Sequence, residues 1–261
     1  MKGTIRKPSA RAKSLRKAIA MGFAAAAVLV FAAPARATSL VTNGSFEETT
    51  NGPGQLGYNT NATGWTTTGY NFLYASGTAD SLTNAAQGQY GVNPLWGPND
   101  GSANGFTASS PDGGNFIAGD GDFDTGPISQ TINGLTAGDQ YAVSFYWAAS
   151  QQEGYTGDTQ QYWAGSLGSQ TFDTPTYDLA SEGFSGWMYQ TETFTATSTS
   201  EVLSFLAVGN VPVPPFALLD GVTMNDENQP SPVPEPGSLP LLFTGLMGGL
   251  AVLRSKKWLR R

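Results

Sequence analysis

The sequence predicts an all-β chain: a jelly-roll β-sandwich flanked by an N-terminal signal helix and a C-terminal apolar transmembrane helix. Three observations carry this. Between residues 38 and 225, short alternating apolar runs are separated by clusters of Gly, Thr, Ser and Asn, the pattern of half-buried strands joined by turns. No window of that stretch repeats apolar residues at helical spacing. The chain's 30 aromatics (6 Trp, 10 Tyr, 14 Phe) are too many for a chain that never collapses.

Taken in order, strands are expected at 40–42, 64–68, 71–75, 115–118, 128–132, 141–147, 163–172, 188–196, 202–208 and 216–224. The sixth shows the period best, with Tyr141, Val143, Phe145 and Trp147 on one face. The run 202–208 is apolar on both faces and reads as a central strand. Many short strands with Gly-rich turns indicate a sandwich, and roughly 190 residues suffice for one core. Trp147 and Trp187 are expected in that core; Trp96, flanked by Gly, Pro and Asn, is equally compatible with core and surface.

Charge is segregated. Seven bases lie in residues 1–17, Arg36 stands alone, and five more lie in the last eight residues, so no Lys or Arg falls between Ala37 and Leu253. Nineteen of the 20 acids lie between Thr38 and Pro234, and the chain has no His and no Cys. The middle domain therefore cannot hold a His- or Cys-ligated metal, a Ser-His-Asp or Cys-His nucleophile, a Lys Schiff base or an Arg phosphate clamp. It lacks the basic footprint that nucleic acid requires. Oxygen-ligated calcium remains open. One catalytic route also remains, a carboxylate pair acting on a glycoside; 19 acids guarantee such pairs by chance, and the chain is expected not to be an enzyme.

Both ends read as addresses. Basic residues 1–17, the apolar run 18–33 and the Ala35-Arg36-Ala37 site form a secretory signal over 1–37, with a retained anchor as the alternative. The domain 38–225 follows, then a Pro-rich linker 226–238, an apolar membrane segment 239–253 and a basic tail 254–261 that stays cytoplasmic. The Val233-Pro234-Glu235-Pro236-Gly237 motif, the apolar segment and the terminal basic cluster together resemble the PEP-CTERM sorting signal of Gram-negative bacteria. That resemblance implies an exosortase as partner, membrane attachment through the C-terminal helix before cleavage, and a destination in the cell envelope, surface or extracellular matrix. A plain single-pass anchor is the alternative.

The opening Leu40-Val-Thr-Asn-Gly-Ser-Phe-Glu47 and the ending Phe216-Ala-Leu-Leu-Asp-Gly-Val222 resemble the first and last strands of galactose-binding-like jelly rolls, including several carbohydrate-binding modules. The resemblance implies a structural calcium held by Glu47 and Asp220, with backbone carbonyls near Asn43 or Gly44 assisting. The alternative is a strand-end Asp220 and a solvated Glu47. Gly221 departs from the pattern, since many such modules place a second acid there. A weaker metal candidate is Asp120, Asp122 and Asp124 in a Gly-rich loop; Thr125 and Thr131 stand where an EF-hand needs Gly and Glu, leaving a non-standard calcium loop or a solvated acidic turn.

Sugar binding needs aromatic platforms beside amides and carboxylates. Two loops offer that mixture, and Trp96, Tyr155, Gln160 and Trp163 are the candidate glycan-binding residues. The leading expectation is an exported envelope or matrix protein whose sandwich binds glycan such as exopolysaccharide. Its rivals are a structural matrix protein with no small ligand and a polysaccharide-active enzyme.

Overall fold

The structure is a computed structural model, and it describes residues 39–210 and 213–228. These belong to one compact unit spanning 36–233. The signal segment, the sorting motif, the apolar segment and the basic tail lie outside the described residues.

Among the described residues fourteen strands follow in chain order: β1 (Gly54–Gln55), β2 (Thr66–Thr67), β3 (Asn71–Tyr74), β4 (Gln87–Gly88), β5 (Gly91–Val92), β6 (Phe116–Asp120), β7 (Ile128–Asn133), β8 (Gln140–Gln151), β9 (Thr159–Leu167), β10 (Gln170–Asp173), β11 (Tyr177–Leu179), β12 (Met188–Thr195), β13 (Ser200–Gly209) and β14 (Pro215–Asp226). One sheet runs β1-β3-β6-β14-β8-β12, and the second runs β10-β9-β13-β7-β2, with β11 also paired to β9. All these pairings are antiparallel, and β4 and β5 form a separate hairpin. The expected all-β sandwich is present.

The two sheets face each other across one apolar layer. Val143, Phe145 and Trp147 of β8, Ile117 of β6 and Leu219 of β14 meet Trp163, Leu203, Phe205 and Ile128 from the other sheet. Phe205 packs edge-on to Phe145 at 5.1 Å and to Trp163 at 6.2 Å. The Trp163 indole N–H donates to the Leu218 carbonyl at 2.9 Å, so its one polar atom is satisfied within the core. Each such buried side chain contributes about 1.5–3 kcal/mol, and no internal Lys or Arg pair exists to add to it.

Strand alternation sends the intervening residues of the first sheet outward. Phe72, Tyr74, Phe116, Ala118, Ala148, Phe216 and Leu218 form a second buried layer. It is covered by the long connection 75–115, which contributes Ala79, Ala85, Leu95, Phe106 and Ala108. That connection blankets the β3–β6 half of the sheet. The outward residues toward β12 are left for solvent, and this asymmetry positions the site.

Four sequence expectations need correction. The run 40–42 is not a strand: Asn43 and Phe46 take positive φ (52° and 55°) and turn the chain, which meets β14 through Leu40 N–H to Met224 O, Val222 N–H to Gly44 O and Met224 N–H to Ser39 Oγ. The run 163–172 is two strands, reversed at Gly168 (φ +56°). The run 202–208 is central in its sheet, yet only one face is buried; Val202 is 47% exposed and Leu206 and Val208 are half-buried. Trp147 is buried as expected, whereas Trp187 precedes β12, packs half-buried on the second layer and donates its indole N–H to Ser109 O at 2.8 Å.

Candidate functional site

The open half of the first sheet carries Tyr146 from β8 and Tyr189 from β12, which are direct register partners. Their rings lie 5.0 Å apart at 57°, and Tyr189 is 61% exposed. A groove of about 440 Å³ runs beside them, lined by Ser39, Asp112, Tyr146, Tyr189, Gly221, Thr223 and Asn225. It combines phenol rings with a carboxylate, an amide and hydroxyls.

Gly221 shapes this groove. It sits where the β14–β8 register shifts between Asp220 and Thr223, with φ +61°. A Cβ there would stand 3.0 Å from Tyr146 Cδ2 and 3.2 Å from Asp112 Cβ. The left-handed backbone and the close approach both favour glycine.

Next to the groove the connection crosses back over β14 at Ser110–Asp112. Asp220 is fully buried beneath it, and one carboxylate oxygen accepts from the Ser110 hydroxyl. The other, Oδ1, is buried with no partner in the structure. Burial pushes the Asp220 carboxyl up to about 8; hydrogen bonds from Ser110 and the Gly221 N–H oppose this, and the charges of Asp112 and Glu47 add to it. Glu47 lies on the same side of the connection, its Oε1 accepting the Asn115 N–H at 2.6 Å. Gly114 (φ +66°) makes that possible, because any side chain there would collide with the Glu47 carboxylate.

Glu47 and Asp220 are thus brought into electrostatic contact, with Asp112 as a third acid that the sequence did not single out. The carbonyls of Asn43 and Gly44 are already engaged: Asn43 O accepts from the Trp65 indole at 3.0 Å, and Gly44 O accepts from Val222 N–H at 2.9 Å. Among the described residues, no group of three acidic side chains forms a ready-made metal cage. The structure leaves Asp220 Oδ1 unpartnered and sets the charges of Asp112 and Glu47 against the Asp220 carboxyl.

The acidic loop 120–124 is arranged differently. Asp120 is 3% exposed, and its Oδ1 accepts the N–H groups of Asp122 (2.9 Å) and Phe123 (3.1 Å). Burial pushes its carboxyl up to about 6 despite those bonds. Asp122 and Asp124 point to solvent. Asp120 serves its own turn.

The four candidate glycan-binding residues separate. Trp163 is wholly buried in the core and presents no platform. Trp96 is half-buried and donates its indole N–H to Tyr155 O at 2.7 Å, which brings these two together, and Tyr155 is 48% exposed. Gln160 lies elsewhere, donating to Asp178 Oδ1 at 2.5 Å on the rim of a polar hollow of about 560 Å³ that Asp158 and Asn210 also line. Tyr146 and Tyr189 were not singled out from sequence.

No family model matches the chain. It is similar to Halomucin of Haloquadratum walsbyi (strain DSM 16790 / HBSQ001), 28% identical over 198 residues, which are 75% of this chain and 2% of that protein. Among solved structures it is similar to TmCBM61 in complex with beta-1,4-galactotriose (14% identity, 73% of this chain and 99% of that chain, TM-score 0.39). It is also similar to the CBM22-1 xylan-binding domain from Paenibacillus barcinonensis Xyn10C (11% identity, 76% and 100%, TM-score 0.39). Likeness at this level says nothing of a ligand for this chain.

Proposed function

We propose that the sandwich is a glycan-binding domain whose sugar site is the groove beside Tyr146 and Tyr189. The observation that supports it is the uncovered half-sheet, where an exposed tyrosine pair stands beside Asp112, Thr223, Asn225 and Ser39. Pyranose rings lay their apolar faces on aromatic rings while their hydroxyls take carboxylate, amide and hydroxyl partners. The absence of Lys and Arg from 37 to 253 selects against anionic polymers and favours neutral ones. Binding, rather than catalysis, is the role this arrangement supports.

Calcium is proposed as a structural partner. Asp220, Asp112 and Glu47 would hold it with the Ser110 hydroxyl nearby, and the ion would supply the positive charge this corner lacks. Export and exosortase sorting through 233–237 are proposed from the sequence alone. The whole then reads as a surface or matrix protein that holds neutral polysaccharide.

The test is affinity electrophoresis in gels containing soluble xylan, β-1,4-galactan or mixed-linkage β-glucan. A sugar face covering about 60 Å² of a ring is worth about 1.5 kcal/mol, close to a tenfold change in affinity. Tyr189→Ala, at an exposed position, should lower retardation by about that factor and leave the melting temperature unchanged. Equal retardation of the two proteins would exclude the groove as the sugar site.

A further inference from the structure

A second aromatic surface lies at the far corner of the same sheet. Tyr90 occupies the two-residue tip of the β4–β5 hairpin and is 71% exposed. Phe123, 48% exposed, projects from the loop after β6. Both rings rest on the buried Tyr70, at 5.9 and 5.3 Å, and lie 6.0 Å from each other. Tyr155 approaches from the loop after β8, close enough for its phenol to add to the upward shift of Tyr70, whose main cause is burial.

The backbone under each ring is pinned. Gln55 Oε1 accepts the Gln89 N–H at 2.8 Å, Asp120 Oδ1 accepts the Phe123 N–H, and the Asp124 carbonyl accepts the Tyr70 N–H at 2.7 Å. The Trp96 indole bond holds the carbonyl of Tyr155. Three exposed rings from three separate segments, Tyr90, Phe123 and Tyr155, are therefore carried on pinned backbone around the buried Tyr70, which limits the ordering entropy lost on binding. Exposed Gln87, Gln89 and Asp122 flank the rings in sequence and supply amides and a carboxylate.

The chemistry narrows the occupant. With no base anywhere in the domain, an anionic polymer gains nothing here. A cationic peptide would find two free carboxylates in this loop, the exposed Asp122 and Asp124, because Asp120 is spent on its own turn. Apolar ring faces with an amide-rich rim match a neutral polyhydroxyl chain.

Position then decides what a second sugar surface would do. Asp120, at the base of this corner, is level with Phe216 of β14, whereas Tyr146 is level with Asp220 and lies on the far side of β14 from β6. Strand and inter-strand spacings put the two surfaces roughly 20 Å apart. Tyr90 itself belongs to the 75–115 connection, whose apolar residues pack on the outer face of the sheet. We infer that the Tyr70–Tyr90–Phe123–Tyr155 corner is a second neutral-polysaccharide surface, and that the domain is bivalent and joins one glycan strand to another. Only the bivalency rests on the groove reading; the corner is an independent contact.

The experiment compares wild type, Tyr189→Ala and the double variant Tyr90→Ala/Phe123→Ala, all at exposed positions, with melts to confirm folding. Each is titrated into high-molecular-weight xylan, β-1,4-galactan or mixed-linkage β-glucan while light scattering is followed. Wild type should give scattering that rises and then falls at protein excess. The double variant should lose that maximum yet keep groove-dependent retardation in gels, with at least tenfold weaker apparent affinity for the long polymer through lost avidity. Tyr189→Ala should also lose the maximum and retain the residual binding of the corner. Undiminished scattering by the double variant would overturn the proposal while leaving the groove reading intact. Residual binding by Tyr189→Ala with none by the double variant would overturn the groove reading and the bivalency instead. No binding by any of the three would overturn both. A wild-type dimer in sedimentation that the double variant lacks, or loss of retention on a Lys-rich peptide with polysaccharide scattering unchanged, would reassign the corner to a protein contact.

Discussion

Asp220→Asn is the most informative single change, because it separates a buried charge from the hydrogen bond that carbon skeleton makes. The asparagine keeps an acceptor for the Ser110 hydroxyl and removes the ionisation. In wild type without metal, the folded carboxyl titrates near 8 against about 3.8 unfolded. Between those values the folded state holds a proton that the unfolded state has released, so wild-type stability falls as pH rises from about 4 to about 8 and is flat beyond. Four units correspond to roughly 5 kcal/mol as an upper bound, because water entering the opened corner would soften it. Urea melts at pH 5, 7 and 9 in chelator should therefore show wild type losing several kcal/mol, whereas Asp220→Asn loses much less over the same range. Calcium should reverse the wild-type loss, by about 2.7 kcal/mol at a hundredfold excess over Kd. The variant should gain nothing from it. Parallel pH slopes for the two proteins in chelator would refute the buried-charge argument. A wild-type melt at pH 9 identical with calcium and with chelator would remove the metal.

Two further outcomes are expected. Gly119→Ala in β6 would place a Cβ 2.6 Å from Asn71 Oδ1 and 2.9 Å from Ala207 Cβ, so urea melts should show a loss of about 1–3 kcal/mol; an unchanged midpoint would mean the inter-sheet contact is looser than drawn. Mass spectrometry of surface protein from cells with an active exosortase should show chains ending before Arg254, and cells lacking the enzyme should keep the basic cluster; an intact Arg261 in mature surface protein would end the sorting proposal.

Most of the fold was legible because alternation of period two survives wherever one face of a strand is buried. Tyr141, Val143, Phe145 and Trp147 point inward as their spacing requires. The same phase argument places Tyr146 outward, but its partner is 43 residues away, and no local pattern announces the pairing of Tyr146 with Tyr189. Nor does sequence show which half of the outer face the 75–115 connection will cover, and that alone decides that Phe116 is buried while Tyr189 is exposed. Trp163 misled for a related reason. Its neighbours Gln160, Gln161 and Tyr162 look like a polar loop, yet β9 turns Gln161 and Trp163 to one buried face, where the Gln161 amide donates to Ser150 O at 2.9 Å.

Residues 39–228, with 19 acids and no bases, have only backbone N–H groups, hydroxyls and side-chain amides with which to keep buried carboxylates, and the acids divide by how well those suffice. Asp80 accepts both the N–H and the side-chain amide of Asn99, at 3.0 and 2.9 Å. Glu201 Oε1 accepts the Thr197 N–H and hydroxyl and the Ser198 N–H; burial pushes its carboxyl up, but these three donors outweigh that and hold it below the usual glutamate value. Asp120, with two donors, stands at about 6. Asp220 receives the Ser110 hydroxyl and the Gly221 N–H, faces two neighbouring acids and stands at about 8, with one oxygen unpartnered. The groove borders this strained corner, and Asp112 belongs to both, since it lines the groove and adds to the field on Asp220. A group that quenches the charge at Asp220 would therefore also act on Asp112, one wall of the proposed sugar site. An Asp220→Asn domain should accordingly bind xylan or galactan with the same affinity in calcium and in chelator, whereas wild type binds more tightly with the metal; equal calcium dependence in both proteins would show that the two sites are independent.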